Sequence, residues 1–126
     1  MARVTRFEDL RCWQSARLLT YEVYKMSKEG QLAKDFDTRS QFRSAGLSVM
    51  NNIAEGFGRF SDKDFLRFLD YAAGTCTEVK SMGYLLLDLG YFPKERIDDL
   101  HKQIEKTKAS VLAFMRYLRQ KLKDKE

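Results

Sequence analysis

Proline, histidine and tryptophan each occur once in the 126 residues, and cysteine occurs twice. Each scarcity excludes something. A lone histidine, His101, cannot supply the pair of Glu-x-x-His motifs by which di-iron bundles hold their metals, so no ferritin-like oxidase and no metal site are expected. Cys12 and Cys76 have no CxxC spacing, and two thiols make no disulfide framework, so both are expected as buried thiols on helices. No stretch stays apolar for the roughly 18 residues a membrane helix requires. The start, Met1 to Asp9, has no apolar run of the signal-peptide kind, and a cytoplasmic location without membrane contact is expected. Repeats and low-complexity segments are also absent, and the length suits one domain, 1–126.

What is present is helical spacing. Hydrophobic residues at 44% and charged residues at 33% are the balance of a globular chain. Cys12, Trp13, Ala16, Leu19, Val23 and Met26 predict a helix over about 9–28, stopped by Gly30, before a polar linker from Glu29 to Phe36. A second helix is expected over 37–57, capped by Asp37 or Thr38 and ended by Gly56 and Gly58 in the left-handed region. Ser61 caps a third over 62–89, apolar nearly all round from Phe65 to Leu87 and so expected to be buried on more than one side. Gly90 ends it. Pro93 in a first turn opens a fourth over 94–121, with a seam of Ile97, Leu100, Ile104, Thr107, Val111, Phe114 and Leu118. Four long helices with short loops predict an all-α, antiparallel up-down four-helix bundle.

The second helix carries two stripes. Phe42, Ala45, Gly46, Val49, Ile53 and Gly56 form the apolar one; Gln41, Ser44, Ser48, Asn51, Asn52 and Glu55 form a polar one with a single charge. Short amides and hydroxyls suit packing against another polar helix, where each finds a hydrogen-bond partner. Arg43, Ser48, Asn51, Asn52, Glu55, Arg59 and Glu78 are therefore candidate residues of a helix or subunit interface, with Glu55 and Glu78 expected to join a register-fixing network with Arg43, Arg59 or Arg67.

Chemistry is harder to find. Gly56-Phe57-Gly58 is half a dinucleotide fingerprint that follows no strand, and a lone thiol with a lone imidazole has no third group to orient it. No catalytic residue, cofactor or small-molecule substrate is identified, and the chain is read as non-enzymatic. Charge is more informative. Residues 1–99 hold 15 basic and 15 acidic side chains, whereas 100–126 hold 8 basic against 3 acidic, so the whole excess of +5 lies in the last segment. Lys102, Arg116 and Lys123 share one heptad position with Lys106 and Arg119 beside them, a cationic stripe opposite the seam. RNA or DNA is its natural partner, held mainly through phosphates with weak sequence specificity. Tyr117, Tyr91 and Phe92 are candidates to stack on bases. The alternative is an oligomeric scaffold that contacts other proteins and no nucleic acid.

Phe7-Glu8-Asp9-Leu10, Trp13-Gln14 and Ala16-Arg17 carry a family resemblance, as do Gln41, Arg43, Ser48, Asn52-Ile53-Ala54-Glu55-Gly56 and Arg59. So do Ser61, Phe65, Phe68-Leu69, Ala72, Gly74, Glu78 and Leu89-Gly90-Tyr91. The chain resembles the bacterial four-helix-bundle family named after proteins encoded in intervening sequences of 23S ribosomal RNA genes. It departs at Ser44, where that family often has a second Arg, and at Ala73-Gly74-Thr75, where it often has Arg-Gly-Ser. The resemblance implies a left-handed bundle, a ring-like homo-oligomer that is a pentamer in relatives, and nucleic-acid binding.

Overall fold

Helical spacing is realised in α1 (Arg11–Ser27), α2 (Phe36–Phe57), α3 (Asp62–Asp88) and α4 (Lys94–Asp124). The computed structural model describes residues 4–125; residues 1–3 and 126, the ends of the expected 1–126 domain, lie outside them. The apolar stripe of α2 is buried throughout, as are Cys12, Trp13, Ala16, Leu19, Val23 and Met26 of α1. They belong to one contiguous core.

Cross-helix contacts run in opposite directions along every neighbouring pair. From α1 to α2, Val23 meets Gly46 and Ser27 meets Arg43. From α2 to α3, Ser48 meets Thr75 and Gly56 meets Phe68. From α3 to α4, Asp62 meets Lys121, Thr77 meets Lys108 and Lys80 meets Glu105. Ser15 of α1 meets Thr107 of α4, while no Cα of α1 lies within 8 Å of one in α3, nor any of α2 within 8 Å of one in α4. The bundle is therefore an antiparallel square with α1 diagonal to α3.

Three of these packings depend on glycine. A methyl group at Gly46 would sit 3.2 Å from Val23, one at Gly56 would sit 2.7 Å from Phe68 and 2.8 Å from Phe65, and one at Gly83 would collide with the His101 ring. Each successive helix pair thus closes on a position without a side chain. Gly56 was expected to end α2 in the left-handed region with Gly58, but Gly56 is helical and buried, and Gly58 has φ −77°. Close approach of Phe65 and Phe68, not backbone freedom, is what requires glycine there.

Gly30 (φ 50°) and Gly90 (φ 72°) do take the left-handed conformation. At Gly90 the bonds Tyr91 N–H to Leu86 O (3.0 Å) and Gly90 N–H to Leu87 O (3.0 Å) form a Schellman motif closing α3. Ser61 caps α3, accepting from Asp64 N–H at 3.1 Å. The α2 cap is Asp35, accepting from Thr38 N–H at 3.2 Å, and not Asp37 or Thr38; the chain turns two residues earlier because Leu32–Lys34 forms a 3-10 turn. That turn buries Leu32 completely, inside a linker whose composition reads as polar. Pro93 stands at the N-cap of α4 rather than in its first turn, and α4 runs three residues past the expected 121.

Along α4, Met115 takes the buried seam position and Phe114 is half-buried beside it. The Thr107 interruption is satisfied: its hydroxyl donates to Gln103 O (2.9 Å) and pairs with Ser15 Oγ (2.7 Å). Phe114 instead joins a chain of edge-on rings, Trp13–Phe7–Phe57–Phe65–Phe114, with centroid spacings of 5.1 to 6.4 Å. These rings close one end of the bundle.

Ionic bonds hold the other end. Arg96 of α4 grips Glu29 with two bonds of 3.0 and 2.8 Å, and Tyr91 OH donates to Asp35 at 2.9 Å. The Arg96 bond holds the Glu29 carboxyl below its usual range, and the Thr38 and Tyr91 donors do the same for Asp35. A carboxyl depressed in the folded state stabilises it above the unfolded pKa and ceases to do so as pH falls through the folded value. Unfolding by urea should therefore become easier below about pH 4, and a Glu29→Gln/Asp35→Asn variant should show a shallower acid limb than the parent protein. Equal limbs would exclude both carboxyls as its source. Gly83→Ala should cost about 1–3 kcal/mol through overpacking against His101. Gly74→Ala, in open space on the same helix, should gain up to about 1 kcal/mol in the same urea titration.

Candidate nucleic-acid and subunit interfaces

A four-helix square covers two flanks of each helix and leaves one outer corner bare. On α4 that corner is basic. Lys102, Lys106, Arg116, Arg119 and Lys123 are all exposed, and among the described residues none has a carboxylate within 4.0 Å. The cations that do pair are other ones: Lys80 with Glu105 (3.1 Å), Lys121 with Asp62 (3.4 Å), Lys94 with Asp98 (2.8 Å). At 1.5 Å per residue the stripe spans about 30 Å. Exposed Ala109 and Ala113 divide it into a Lys102/Lys106 pair and an Arg116/Arg119/Lys123 group. Heptad counting placed the five residues on one face but did not reveal this gap.

The polar stripe of α2 is also uncovered. Gln41, Ser44, Asn51 and Glu55 are exposed; Ser48 and Asn52 are half-buried at the α3 boundary. Asn52 donates to Ser48 O (2.8 Å) and Ser48 Oγ (2.9 Å), and Ser48 reaches Thr75 of α3 at 3.5 Å. Glu55 pairs with Arg59 one turn on at 2.8 Å, and both are exposed. Arg43 turns the opposite way, giving its Nε–H to Ser27 Oγ at 2.7 Å and lying over the Tyr24 ring. Arg67 pairs with Asp64 at 3.3 Å, and Glu78 is exposed with no cation within 4.0 Å among the described residues. The expected Glu–Arg–Asn network between helices does not form within one protomer. Glu55 lies on the outer corner, where the nearest cation is one turn away on its own helix.

Apolar side chains extend this surface along α3. α3 is buried on more than one side, against α2 and α4, as expected, while Tyr71, Leu85 and Leu89 are 48%, 44% and 45% exposed on its outer corner, which has no neighbour in the square. Diagonally across the bundle, Leu18 and Tyr21 of α1 are 62% and 67% exposed and line a shallow open depression with Gln14 and Arg17. Sequence reading missed this pair because a single Leu and Tyr do not disturb the α1 period.

Of the stacking candidates, Phe92 is buried and Tyr91 is committed to Asp35. Tyr117 is 42% exposed and stacked on Phe114 at 5.7 Å. Cys12 and Cys76 are buried and free, and desolvation pushes their thiols up to about 11 and about 12. Among the described residues His101 has no carboxylate hydrogen-bond partner; its Nε2 lies 3.0 Å from Lys80 O, as a donor to that carbonyl. Among the described residues no group of three or more His, Cys, Asp or Glu side chains could hold a metal ion, and no helix is long and apolar enough to cross a membrane.

Four antiparallel helices, one basic outer corner and one polar outer corner define a small all-α four-helix-bundle protein. The chain belongs to the 23S rRNA-intervening sequence protein family, whose sequence pattern matches residues 8–113. A crystal structure of a protein of unknown function from the S23 ribosomal protein family of Bacteroides thetaiotaomicron is similar, with a TM-score of 0.75 at 20% identity. The match covers 82% of this chain and 97% of that one, and at such identity it concerns the fold. No functionally curated protein matches the chain.

Thiolates, not thiols, attack disulfide reagents. At about pH 8 native protein should therefore leave both cysteines unreacted with Ellman's reagent over hours, and denatured protein should release two thiols per chain. Rapid reaction of either native cysteine would show that its helix opens.

Proposed function

We propose that the protein is a non-enzymatic ring-forming bundle, a homopentamer, that binds RNA or DNA phosphates through α4. The observation that carries the binding is the set of five exposed cations on one helix without a carboxylate partner among the described residues. Elsewhere among the described residues Arg96, Arg67, Arg59 and Lys94 pair with Glu29, Asp64, Glu55 and Asp98, while the exposed unpaired cations Arg11, Arg17, Lys28, Lys34 and Lys63 are scattered over several elements rather than aligned on one helix. An unneutralised stripe attracts a polyanion, releases its counterions and reads little sequence.

Ring assembly is supported by the two outer corners. A cyclic oligomer above a dimer needs two different, complementary patches on roughly opposite sides of each protomer. Leu18 and Tyr21 on α1 form one; Tyr71, Leu85 and Leu89 with Ser44, Asn51 and Glu78 along α2 and α3 form the other. A ring would repeat the basic stripe fivefold, and simultaneous phosphate contacts raise affinity without new contacts per protomer.

Two measurements test this reading. Light scattering should return about five times the 14.8 kDa chain mass at micromolar concentration. Leu18→Glu/Tyr21→Glu should return one. A monomeric parent protein would remove the ring. Fluorescence anisotropy on labelled RNA and DNA should show affinity falling on the order of a hundredfold or more between 50 and 200 mM salt, given about 0.9 (duplex DNA) or about 0.7 (single strand) logarithmic units per phosphate neutralised for each tenfold rise in salt. Arg116→Ala/Arg119→Ala/Lys123→Ala should lower both the affinity and this salt slope. No binding at either salt would leave an oligomeric scaffold for other proteins as the function.

A further inference from the structure

Six aromatic side chains are exposed among the described residues: Tyr21, Phe36, Phe60, Tyr71, Tyr84 and Tyr117. Five have a face or edge already engaged. Lys25 lies over Tyr21 at 5.9 Å and Arg39 over Phe36 at 4.6 Å; Tyr71 meets Phe68, Tyr84 meets His101 and Tyr117 stacks on Phe114. Phe60, fully exposed in the turn between α2 and α3, has neither a ring nor a cation against it among the described residues. Both of its π-faces are open.

Its surroundings are cationic. The residues that flank Phe60 in the chain, from Gly58 to Asp64, are glycine, charged or polar. Three of the acids nearby are paired with cations, Glu55 with Arg59, Asp62 with Lys121 and Asp64 with Arg67, while Asp124 accepts only from the neutral Gln120 amide at 3.0 Å. Arg59 lies over Phe68 rather than over Phe60. The α3–α4 register, set by Gly83 against His101, Thr77 against Lys108 and Asp62 against Lys121, runs the last turns of α4 alongside the first turn of α3. Lys63, Arg119 and Lys123, exposed and without carboxylate partners among the described residues, therefore gather at the end of the bundle that Phe60 caps.

We propose that Phe60 is a base-stacking element, and that with Lys63, Arg119 and Lys123 it makes the ligand of this surface a single-stranded nucleic acid rather than a duplex. The inference rests on the nucleic-acid reading above and narrows it. Bases inside a duplex have both faces occupied by their neighbours, whereas an unpaired base can stack on a protein ring while its phosphates meet the adjacent lysines and arginines. Stacking of this kind tolerates any base, in keeping with weak sequence specificity.

The test compares fluorescein-labelled oligo(A) RNA, as a single strand and annealed to its complement, by anisotropy at low salt. Phe60→Ala should weaken single-strand binding about five- to a hundredfold and leave duplex binding within about twofold, the limit expected for a side chain that touches no phosphate. Phe60→Trp should keep the parent affinity, and its emission should be quenched on adding the single strand but not the duplex. Because Phe60 is fully exposed, both variants should keep the parent helicity by circular dichroism. If Phe60→Ala binds the single strand as the parent does while Arg116→Ala/Arg119→Ala/Lys123→Ala does not, stacking is overturned and phosphate binding stands. Loss of oligomer mass in Phe60→Ala with unchanged strand affinity would assign the ring to a subunit contact and overturn the proposal. Binding of neither strand by the parent protein would overturn both readings.

Discussion

Close approach of neighbouring helices at glycine is the constraint on which the rest of this structure depends. Gly46 admits Val23, Gly56 admits Phe65 and Phe68, and Gly83 admits His101, one such contact for each successive pair of helices. With the helices this near, short polar side chains bridge them: Thr20 Oγ1 lies 2.9 Å from Gly46 O, and Ser48 and Thr75 come within 3.5 Å. Longer polar side chains bridge neighbouring helices from the surface, as Lys80 does to Glu105 and Lys108 to Thr77.

Side-chain economy in the interior has a counterpart outside it. No buried side-chain nitrogen or oxygen is left without a partner among the described residues, so the protomer is complete as a hydrogen-bonded unit. What remains unpartnered lies on the surface, and it is unevenly distributed: cations along α4, amides and hydroxyls along α2, apolar side chains on α1 and α3. The square arrangement permits such segregation, since each helix keeps one corner free to differ from the other three.

Much of this was legible in the sequence because period and breakers are local signals. The buried stripe of α2, the Ser61 cap, the Gly30 and Gly90 turns and the one-sided charge of α4 all follow from residues within a few positions of one another. Leu32 was not legible, since one apolar residue in a polar linker has no period; it is buried because a 3-10 turn folds it back. Phe114 and Met115 adjoin, and the seam tolerates either, so the choice falls to the aromatic chain that Phe114 completes at its end of the bundle. Glu55 was expected in a register-fixing network between helices, yet its place on the outer corner, paired only with Arg59 of its own helix end, is set by how α1 and α3 pack on α2, not by its neighbours in sequence. The unengaged state of Phe60 depends on every ring and cation that could have reached it, which no local pattern encodes.

The two ends of the bundle are held by different physics. At the Gly30 and Gly90 end, Glu29–Arg96 and Asp35–Tyr91 join α1 to α4 and α2 to the α3–α4 loop through charge-assisted hydrogen bonds at the surface. At the opposite end the Trp13–Phe7–Phe57–Phe65–Phe114 rings do the same through apolar contact. Screening by salt weakens the first kind of contact and leaves the second intact, while cooling weakens the second. The molecule therefore has a polarity of local opening: amide protons near Asp35 and Arg96 exchange first in concentrated salt, and those near Phe57 and Phe114 exchange first in the cold.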